Sequence, residues 1–386
     1  MPEIELSIIM PCLNEAATVA DCIASAQRFF QDNNINGEVV IGDNGSTDGS
    51  IDIARAAGAR VVHVEDKGYG AACIGAARES KGRYIIMGDA DRSYDFYQLM
   101  PFVEALRQGN ELVMGNRFKG GIAPGAMPLK NRYLGNPVLS AVGRLLFSSG
   151  VGDFHCGLRG FSKVAFEKMN LQSTGMEFAS EIVLKAELVG LKITEVPTTL
   201  SPDGRSRKPH LRPWRDGFRH LKIMFLFSPR YLFLIPGLLL MCLGVIFGAA
   251  LIHGTVYIGK AGFDIASLVY AGAAVVVGLQ AVLFALLAKY YGFRAGFLPV
   301  DDTVIRFFDI CTMERVVITG LAIFIISFIG GLYSFGVWIS ADFGNLVPRQ
   351  IIAIAAPSAV GAMCGSELMM FGMFLGVLDS HMGKKK

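Results

Sequence analysis

The sequence predicts an α/β domain with a mostly parallel sheet, followed by an all-α domain of four membrane-spanning helices. In the first 200 residues, short apolar, β-prone segments alternate with helical segments, which is the pattern of right-handed βαβ units. Beyond residue 230, four nearly uncharged segments each exceed the roughly 20 residues that span a bilayer. We therefore predict an α/β domain at 1–200, a basic juxtamembrane segment at 201–230 and a transmembrane domain at 231–380.

The elements of the α/β domain follow one another along the chain. Strands are predicted at about residues 6–10, 38–42, 59–64, 84–87, 112–115 and 192–196. Helices are predicted over about 16–32, 96–107, 127–151 and 176–189, with two shorter ones ending near 58 and beginning near 67. The segment 127–151 is partly apolar and carries Lys130, Arg132 and Arg144, so it lies on a membrane surface or packs on the sheet.

Charge and cysteine content exclude some classes of function. The net charge of the 386-residue chain is only +3, which does not suggest nucleic-acid binding. Its seven cysteines are scattered and include no Cys-x-x-Cys pair, so we expect neither a disulfide framework nor a structural zinc site. A reduced, cytosolic α/β portion is the expectation.

Two aspartates mark the expected ligand-binding edge of the sheet. Asp89 and Asp91 directly follow the predicted strand Tyr84–Met87, and open α/β sheets bind ligands at the carboxyl ends of their strands. Residues two apart on an extended chain point the same way, so both carboxylates could hold one Mg²⁺ or Mn²⁺ ion. The alternative is a helix start, capped by Asp91 or Ser93.

The four apolar segments and their loops predict an orientation in the membrane. The segments are residues 231–253, 265–288, 316–341 and 351–378. Loops 253–264 and 342–350 carry one Lys and one Arg between them, whereas loop 289–315 and the C-terminal tail are basic. By the positive-inside rule, the α/β domain and both termini lie on the cytosolic side of a cytoplasmic or inner membrane. Glu367 is the one acidic or basic residue inside the segments, and a functional role and helix packing are both open.

The junction between the two domains is basic. Its cationic residues are Arg205, Arg207, Lys208, Arg212, Arg215, Arg219, Lys222 and Arg230. A charge run is usually a solvated face, but this one adjoins the first apolar segment. We therefore expect it to contact anionic lipid head groups.

Short motifs at the predicted strand ends resemble one enzyme family. Pro11-x-x-Asn14-Glu15, Asp43-x-x-Ser46-x-Asp48, Lys67-Gly68-x-Gly70 and Asp89-x-Asp91 together resemble the inverting family 2 glycosyltransferases with the GT-A fold. Four later motifs look like those of dolichyl- and polyprenyl-phosphate sugar synthases: Asn116-Arg117-Phe118, Asp153-x-x-Cys156-Gly157-Leu158-Arg159, Ser206-Arg207-Lys208 and Trp214-Arg215-Asp216-Gly217. The resemblance covers about residues 4–225, and the four-span tail is similar to members with two transmembrane hairpins.

The resemblance implies a reaction and a set of site residues. The enzyme would be a membrane-bound hexosyltransferase that moves a hexose from a UDP- or GDP-sugar to a polyprenyl phosphate of dolichyl or undecaprenyl type. Asp89 and Asp91 would hold Mg²⁺ or Mn²⁺, which would neutralise the departing diphosphate. The residues implied around the sugar donor are Pro11, Asn14, Glu15, Asp43, Ser46, Asp48, Lys67, Gly68 and Asp89. A helix N-cap remains open for Asp48, and a plain glycine turn for Lys67-Gly68.

Basic residues predict the acceptor. No histidine or clearly placed carboxylate stands out as a base, and a phosphate monoester with a second pKa of about 6 needs little or none. The arginine fork binds phosphate oxygens in pairs. The expected phosphate ligands are Arg117, Arg132, Arg159, Arg205, Ser206, Arg207 and Lys208, and Arg117 joins Asp89 and Asp91 as catalytic. Asp153 is the competing candidate for a base, and Cys156 is expected to pack rather than to act as a nucleophile.

One position departs from the family pattern. Close relatives often have Gln two residues after the second aspartate as a further metal contact, but this chain has Ser93 there. Two other functions stay open. A processive polysaccharide synthase usually carries a Gln-x-x-Arg-Trp motif, which the chain lacks. A non-enzymatic membrane protein that binds nucleotides would not need the intact set of Asp89, Asp91 and Arg117.

Overall fold

The computed structural model describes residues 3–205, 213–296, 298, 302–344 and 348–381, and the chain divides into two units. The first unit is Met1–Leu226 and the second is Phe227–Lys386. The first combines strands and helices around one sheet, and the second consists mainly of long apolar helices.

Seven strands form the sheet of the first unit, in the order β3-β2-β1-β4-β6-β5-β7. They are β1 Leu6–Cys12, β2 Gly37–Asp43, β3 Arg60–His63, β4 Tyr84–Met87, β5 Leu112–Asn116, β6 Arg159–Ser162 and β7 Ile193–Pro197. Strands β1 to β4 pair in parallel, as do β5 and β7, while β6 runs antiparallel between β4 and β5. The mostly parallel sheet is confirmed. Strand β6 was not predicted, because its first two residues, Arg159 and Gly160, were assigned to a polar, Gly-containing loop.

Helices pack on both faces of this sheet. They are α1 Val19–Asp32, α2 Ser50–Ala56, α3 Tyr69–Glu79, α4 Met100–Arg107, α5 Arg117–Gly120, α6 Asn136–Phe147, α7 Lys163–Met169, α8 Phe178–Leu188 and α9 Pro213–Leu226. Two predicted helices are shorter than expected. The helix predicted at 96–107 begins at Met100, because the Asp95 carboxylate accepts a hydrogen bond from Tyr97 N (2.9 Å) and forms a turn instead.

The helix predicted at 127–151 is also cut at both ends. A π-helical turn at Asn131–Gly135 leads into α6, and α6 ends where Ser148 adopts a left-handed φ of 53°.

The core of the first unit holds its central strands rigidly. Leu6, Ile8 and Met10 of β1 and Ile86 of β4 are fully enclosed and pack in one cluster with Phe29 of α1. Burying one such side chain contributes about 1.5–3 kcal/mol. The carboxyl ends of β1 and β4 are therefore a well-supported platform for the loops that follow them.

Four long apolar helices dominate the second unit. Its elements are α10 Ile235–His253, the hairpin β8 Val256–Ile258 and β9 Ala261–Phe263, α11 Ile265–Arg294, α12 Asp302–Ile310, α13 Met313–Ser340 and α14 Pro348–His381. The segments long and apolar enough to cross a membrane are Arg230–His253, Ile265–Arg294, Met313–Ser340 and Ile351–Ser380. The predicted set of four helices is confirmed, while the hairpin and α12 were not predicted.

Glycines bring these helices together in pairs. A Cβ added to Gly320 of α13 would lie 2.7 Å from the carbonyl oxygen of Gly365 in α14, and Gly237 of α10 faces Gly278 of α11 in the same way at 2.8 Å. Such small residues let two backbones approach closely in a bilayer. Glu367 lies on α14, and within the described part of the chain its Oε2 is buried without a hydrogen-bond partner.

Candidate functional site

The loops after β1 and β2 lie side by side because these strands are neighbours in register. Asn44 N donates to Cys12 O (3.0 Å) just past the paired strands. The Asn14 side chain accepts from Thr47 N (2.8 Å), and Asn14 N donates to Ser46 Oγ (3.0 Å). Asn14 has a left-handed φ of 59°, which asparagine tolerates better than most residues. The structure thus brings Asn14 and Ser46 together, as two of the predicted donor-site residues.

Asp43 and Asp48 flank this pair of loops. The buried Asp43 carboxylate accepts from Gly45 N (2.9 Å) and Ser46 N (3.1 Å). Burial opposes its ionisation, but these hydrogen bonds outweigh burial and hold the pKa of Asp43 below its usual range. Asp48 accepts from the backbone and the hydroxyl of Ser50, the first residue of α2. The N-cap residue of α2 is Gly49, and no side chain caps this helix, so Asp48 forms a turn before α2 and the alternative in which it is the N-cap is wrong.

Lys67 and Gly68 precede α3 at the same edge. Lys67 Nζ donates to Asn44 O (3.0 Å), and Gly68 N donates to the Asn44 side chain (2.7 Å). Gly68 has a φ of 133°, and a Cβ there would lie 2.1 Å from Thr174 O, so only glycine fits. Pro11 lies in β1 itself. The structure therefore contains the glycine turn at Gly68, and this turn places the exposed Lys67 beside the loops after β1 and β2.

Asp89 and Asp91 come together after β4, but in different surroundings. Asp91 Oδ1 accepts from Ser93 N (2.9 Å) and from the Ser93 hydroxyl, and Asp91 Oδ2 lies 3.0 Å from Arg205 Nη1. The hydroxyl of Tyr69, the first residue of α3, favours the ionised form of Asp89 and so lowers its pKa. Burial and the neighbouring charge of Asp91 raise the pKa of Asp89 above its usual range.

Arg205 connects Asp91 to the loop after β1. Its Nε lies 2.9 Å from Glu15 Oε1 and 3.1 Å from Glu15 Oε2. The segment that precedes Arg205 is fixed to the aspartate turn, because Gly204 N donates to Asp91 O (2.8 Å) and Ser201 N donates to Ser93 O (3.0 Å). The sequence predicted Arg205 as an acceptor-phosphate ligand, whereas the structure places it among the carboxylates predicted for the metal and the sugar donor.

Arg117 forms a closed pair with Asp153. Arg117 Nε donates to Asp153 Oδ2 (2.7 Å), Nη2 donates to Oδ1 (2.8 Å), and the backbone N also donates to Oδ2 (3.1 Å). Burial opposes the charge on Arg117, but Tyr94 and Asp153 more than offset this and raise the pKa of Arg117. Both Asp153 oxygens are engaged by one guanidinium, so Asp153 is better suited to hold Arg117 in place than to accept a proton.

Arg159 and Cys156 are enclosed by the protein. Arg159 is 1% exposed and donates to three backbone carbonyls, those of Cys156 (2.7 Å), Ala179 (2.6 Å) and Phe154 (2.9 Å). These bonds use the guanidinium inside the fold, so the geometry does not favour the predicted contact of Arg159 with a phosphate. Burial raises the pKa of Cys156 to about 11, which suits the expected packing role.

The remaining predicted phosphate ligands are Arg132, Ser206, Arg207 and Lys208. Arg132 belongs to the π-helical turn before α6, and its guanidinium lies 5.6 Å from the centre of the Tyr133 ring. Ser206, Arg207 and Lys208 lie outside the described residues. Sequence reasoning missed Tyr69 and Tyr94. Tyr69 stands within the Lys67-Gly68-Tyr69-Gly70 motif, which was a usable signal.

The aspartate pair suits a cation that is shared with a ligand. Among the described residues, no group of three or more His, Cys, Asp or Glu side chains could hold a metal ion. Mg²⁺ is usually bound by one or two carboxylates, with waters and substrate phosphates completing its shell. Asp91 Oδ2 and the Asp89 carboxylate can supply that protein part, while the Ser93 hydroxyl bonds to Asp91.

Comparisons with known proteins give a consistent set of relatives. Residues 7–169 match the family model "Glycosyl transferase family 2", and residues 286–379 match "Glycosyltransferase family 2 C-terminal transmembrane region". The chain is 36% identical over 376 residues to the low-salt glycan biosynthesis hexosyltransferase Agl6 of Haloferax volcanii, covering 96% of this chain and 88% of that protein. It is 28% identical over 194 residues to the dolichyl-phosphate hexose transferase of the same organism, covering 50% and 81%.

One group of solved structures is also similar. The glucosyl-3-phosphoglycerate synthase of Mycobacterium tuberculosis, in complex with Mn²⁺, UDP-glucose and phosphoglyceric acid, aligns with a TM-score of 0.47 at 21% identity. The alignment covers 58% of this chain and 79% of that one.

Proposed function

Because the chain belongs to glycosyltransferase family 2 and carries the C-terminal transmembrane region of that family, we propose that it transfers a hexose from a UDP- or GDP-sugar to a polyprenyl phosphate of dolichyl or undecaprenyl type. Membership makes the chain a membrane-bound glycosyltransferase. The observation that carries the finer proposal is the convergence of Glu15, Asp89, Asp91 and Arg205 at the carboxyl ends of β1 and β4.

The sugar donor would bind across the loops after β1, β2 and β4. Glu15, Asp43 and Asp48 present carboxylates there, and carboxylates accept hydrogen bonds from ribose hydroxyls and base N–H groups. Lys67 would bring positive charge to the same edge. Asp91, together with Asp89, would hold the Mg²⁺ or Mn²⁺ ion, which when bound neutralises negative charge on the departing diphosphate.

The acceptor phosphate would be oriented by Arg117. Asp153 takes up Nε and Nη2 of this guanidinium, so Nη1 is the nitrogen that can face an anion. An ionised phosphate oxygen held in this way attacks the anomeric carbon directly, without a protein base. Inversion at that carbon follows from a single displacement.

Exposed apolar residues in and before α6 would meet the lipid surface. Leu129 and Tyr133 are each 71% exposed, Leu145 of α6 is 72% exposed, and the basic residues Lys130 and Arg144 accompany them. Helix α9 contacts α6 and exposes further residues of both kinds, among them Phe218, Arg219, Lys222 and Leu226. Exposed basic and apolar side chains on two contacting helices suit an anionic membrane interface, and Arg132, in the π-helical turn before α6, would bind the lipid phosphate.

The positive-inside rule favours a cytosolic first unit and cytosolic termini. Labelling of single cysteines introduced as Gly259→Cys and Ala295→Cys tests this orientation. The two positions should react from opposite sides of sealed vesicles, with Ala295→Cys on the cytosolic side. Reaction of both from one side would refute it.

The reaction itself is tested with purified full-length protein in lipid nanodiscs. Radiolabelled UDP- and GDP-hexoses are offered with polyprenyl phosphate and Mg²⁺, and the label in the organic phase is counted. We expect an organic-extractable product from at least one sugar donor, and none with Asp91→Asn. Label in a water-soluble polymer would identify a processive synthase instead.

A further inference from the structure

Arg205 contacts the Asp91 oxygen that the proposed metal ion would bind. Asp91 Oδ1 is taken up by Ser93, so Oδ2 is the Asp91 oxygen available to a cation, and Arg205 Nη1 lies 3.0 Å from it. The Arg205 side chain is 17% exposed, which is low for an arginine that lies outside the strands and helices. Glu15 and Asp91, from different loops, therefore share one guanidinium, and Asp203 Oδ2 lies 3.8 Å from its Nη1.

A cation is needed here in the absence of metal. Glu15 and Asp91 are each 5% exposed, and Asp89 adds a third carboxyl group beside them. Buried carboxylates without a counter-ion are strongly unfavourable. Arg205 supplies that counter-ion from the protein itself and keeps Glu15 and Asp91 close together.

The guanidinium and a divalent ion compete for Asp91. Mg²⁺ binds carboxylate oxygens at about 2.0–2.1 Å, so an ion on Asp91 Oδ2 would lie within a few ångströms of the present guanidinium. Two cations at that separation repel each other. The backbone bonds of Gly204 and Ser201 hold the segment in place, so Arg205 can leave Asp91 by rotation of its side chain alone.

We propose that Arg205 acts as an internal substitute for the metal ion, which yields Asp91 when the metal arrives with the sugar donor and then pairs with the donor diphosphate. The proposal rests on the proposed function for the identity of the diphosphate. A guanidinium fork released from Asp91 matches phosphate oxygens well. Metal and nucleotide then bind together, because the nucleotide gives Arg205 a new partner.

The first test measures Mn²⁺ binding to full-length protein in nanodiscs without nucleotide, from the free-Mn²⁺ electron paramagnetic resonance signal. Arg205→Gln removes the competing charge and should bind Mn²⁺ about tenfold more tightly. Arg205→Lys keeps the positive charge but loses the planar fork that spans Glu15 and Asp91, so its Mn²⁺ affinity should lie between those of Arg205→Gln and the unchanged protein. The matched control is Arg107→Gln, which breaks a similar two-bond pair with Glu5 and should leave Mn²⁺ affinity unchanged.

The second test measures binding of UDP and GDP at saturating Mn²⁺. For the nucleotide that binds, Arg205→Gln should now lower affinity, by about tenfold. Mn²⁺ affinity that is unchanged or weaker in Arg205→Gln would overturn the proposal, and so would unchanged nucleotide affinity. If Arg205→Gln loses its cooperative thermal transition, Arg205→Lys decides by the same two criteria. If Arg205→Gln shows both affinity shifts but the unchanged protein transfers no sugar, the exchange of Arg205 with the metal ion stands and the proposed function is refuted.

Discussion

Two arginines of the first unit are paired with carboxylates in different ways. Arg117 donates from Nε and Nη2 to the two oxygens of a single carboxylate, that of Asp153, and both side chains are almost fully buried. Arg205 bridges Glu15 and Asp91 from two separate loops, and one of its partners is the proposed metal ligand. A pair that satisfies one carboxylate completely is suited to hold a side chain still. An arginine whose carboxylate partner also binds a metal ion is suited to give up that partner when the metal binds.

Removing the shared carboxylate should have the largest effect. Asp91→Ala deletes both the proposed metal anchor and the partner of Arg205, so we expect kcat to fall by about 10³-fold or more. Ser93→Ala, which keeps the Asp91 carboxylate, should lose far less. Turnover of labelled sugar donor with and without EDTA measures both. Full activity of Asp91→Ala, or of the unchanged protein in EDTA, would contradict a metal at this position.

Breaking the closed pair should come next. Arg117→Gln and Asp153→Asn should each lower kcat/KM for polyprenyl phosphate by about 10²-fold, and the double variant little further, because the two side chains act as a unit. Loss of one partner from a buried pair also destabilises by about 3–5 kcal/mol, so both single variants should show a lower Tm.

The same variants distinguish a positioning role of Asp153 from a role as base. If Arg117→Gln keeps near-normal acceptor dependence while Asp153→Asn is inactive, Asp153 is the base and a hydroxyl acceptor must be sought.

The pH dependence of metal binding provides a smaller effect. Burial and Asp91 hold the pKa of Asp89 above its usual range, and the protonated, neutral carboxyl group no longer attracts a cation. Mn²⁺ affinity should therefore rise as the pH rises through that pKa, and fall by up to about tenfold for each pH unit below it. Titrations of Mn²⁺ between pH 5 and pH 8 check this. The slope should vanish in Asp89→Asn, and a slope retained there would assign the titration to another group.

A surface cation should have the smallest effect. Lys222 is exposed on α9, and one Lys near an anionic bilayer contributes about 1 kcal/mol, or about fivefold. Lys222→Ala should reduce the stimulation of sugar transfer by anionic lipid by about that factor, measured in nanodiscs of graded charge. Arg55→Ala on α2, where the side chain is also exposed, serves as the control. An equal loss of lipid stimulation in both variants would show that α9 does not contact the membrane surface.

The parts of the fold that sequence could predict are those with a repeating pattern. The parallel strands and the four apolar helices carry such patterns, and the predicted fold class, the family and the glycosyltransferase activity are confirmed. Strand β6 is as short as β4, but β4 is wholly apolar whereas β6 begins with a buried arginine followed by glycine, so its composition does not indicate a strand.

The site was predictable where its residues are close in sequence. Asp89 and Asp91 are two residues apart in the turn that follows β4, so their closeness is local in the sequence. Arg205 and Glu15 are separated by 190 residues, and no local pattern reports a contact over that distance. Arg159 was predicted from its residue type, but its environment turned out to be a set of carbonyl oxygens inside the fold.

The antiparallel strand β6 has a consequence for how the first unit unfolds. It is the sole link in the sheet between β3-β2-β1-β4, which carries the Asp89 and Asp91 turn, and β5-β7, which carries Arg117. Its pairing, together with the core cluster that includes side chains from both halves, therefore keeps the two halves in one cooperative body. Amide hydrogens of β6 should exchange with solvent as slowly as those of β1, and weakening this strand would turn a single unfolding transition into two.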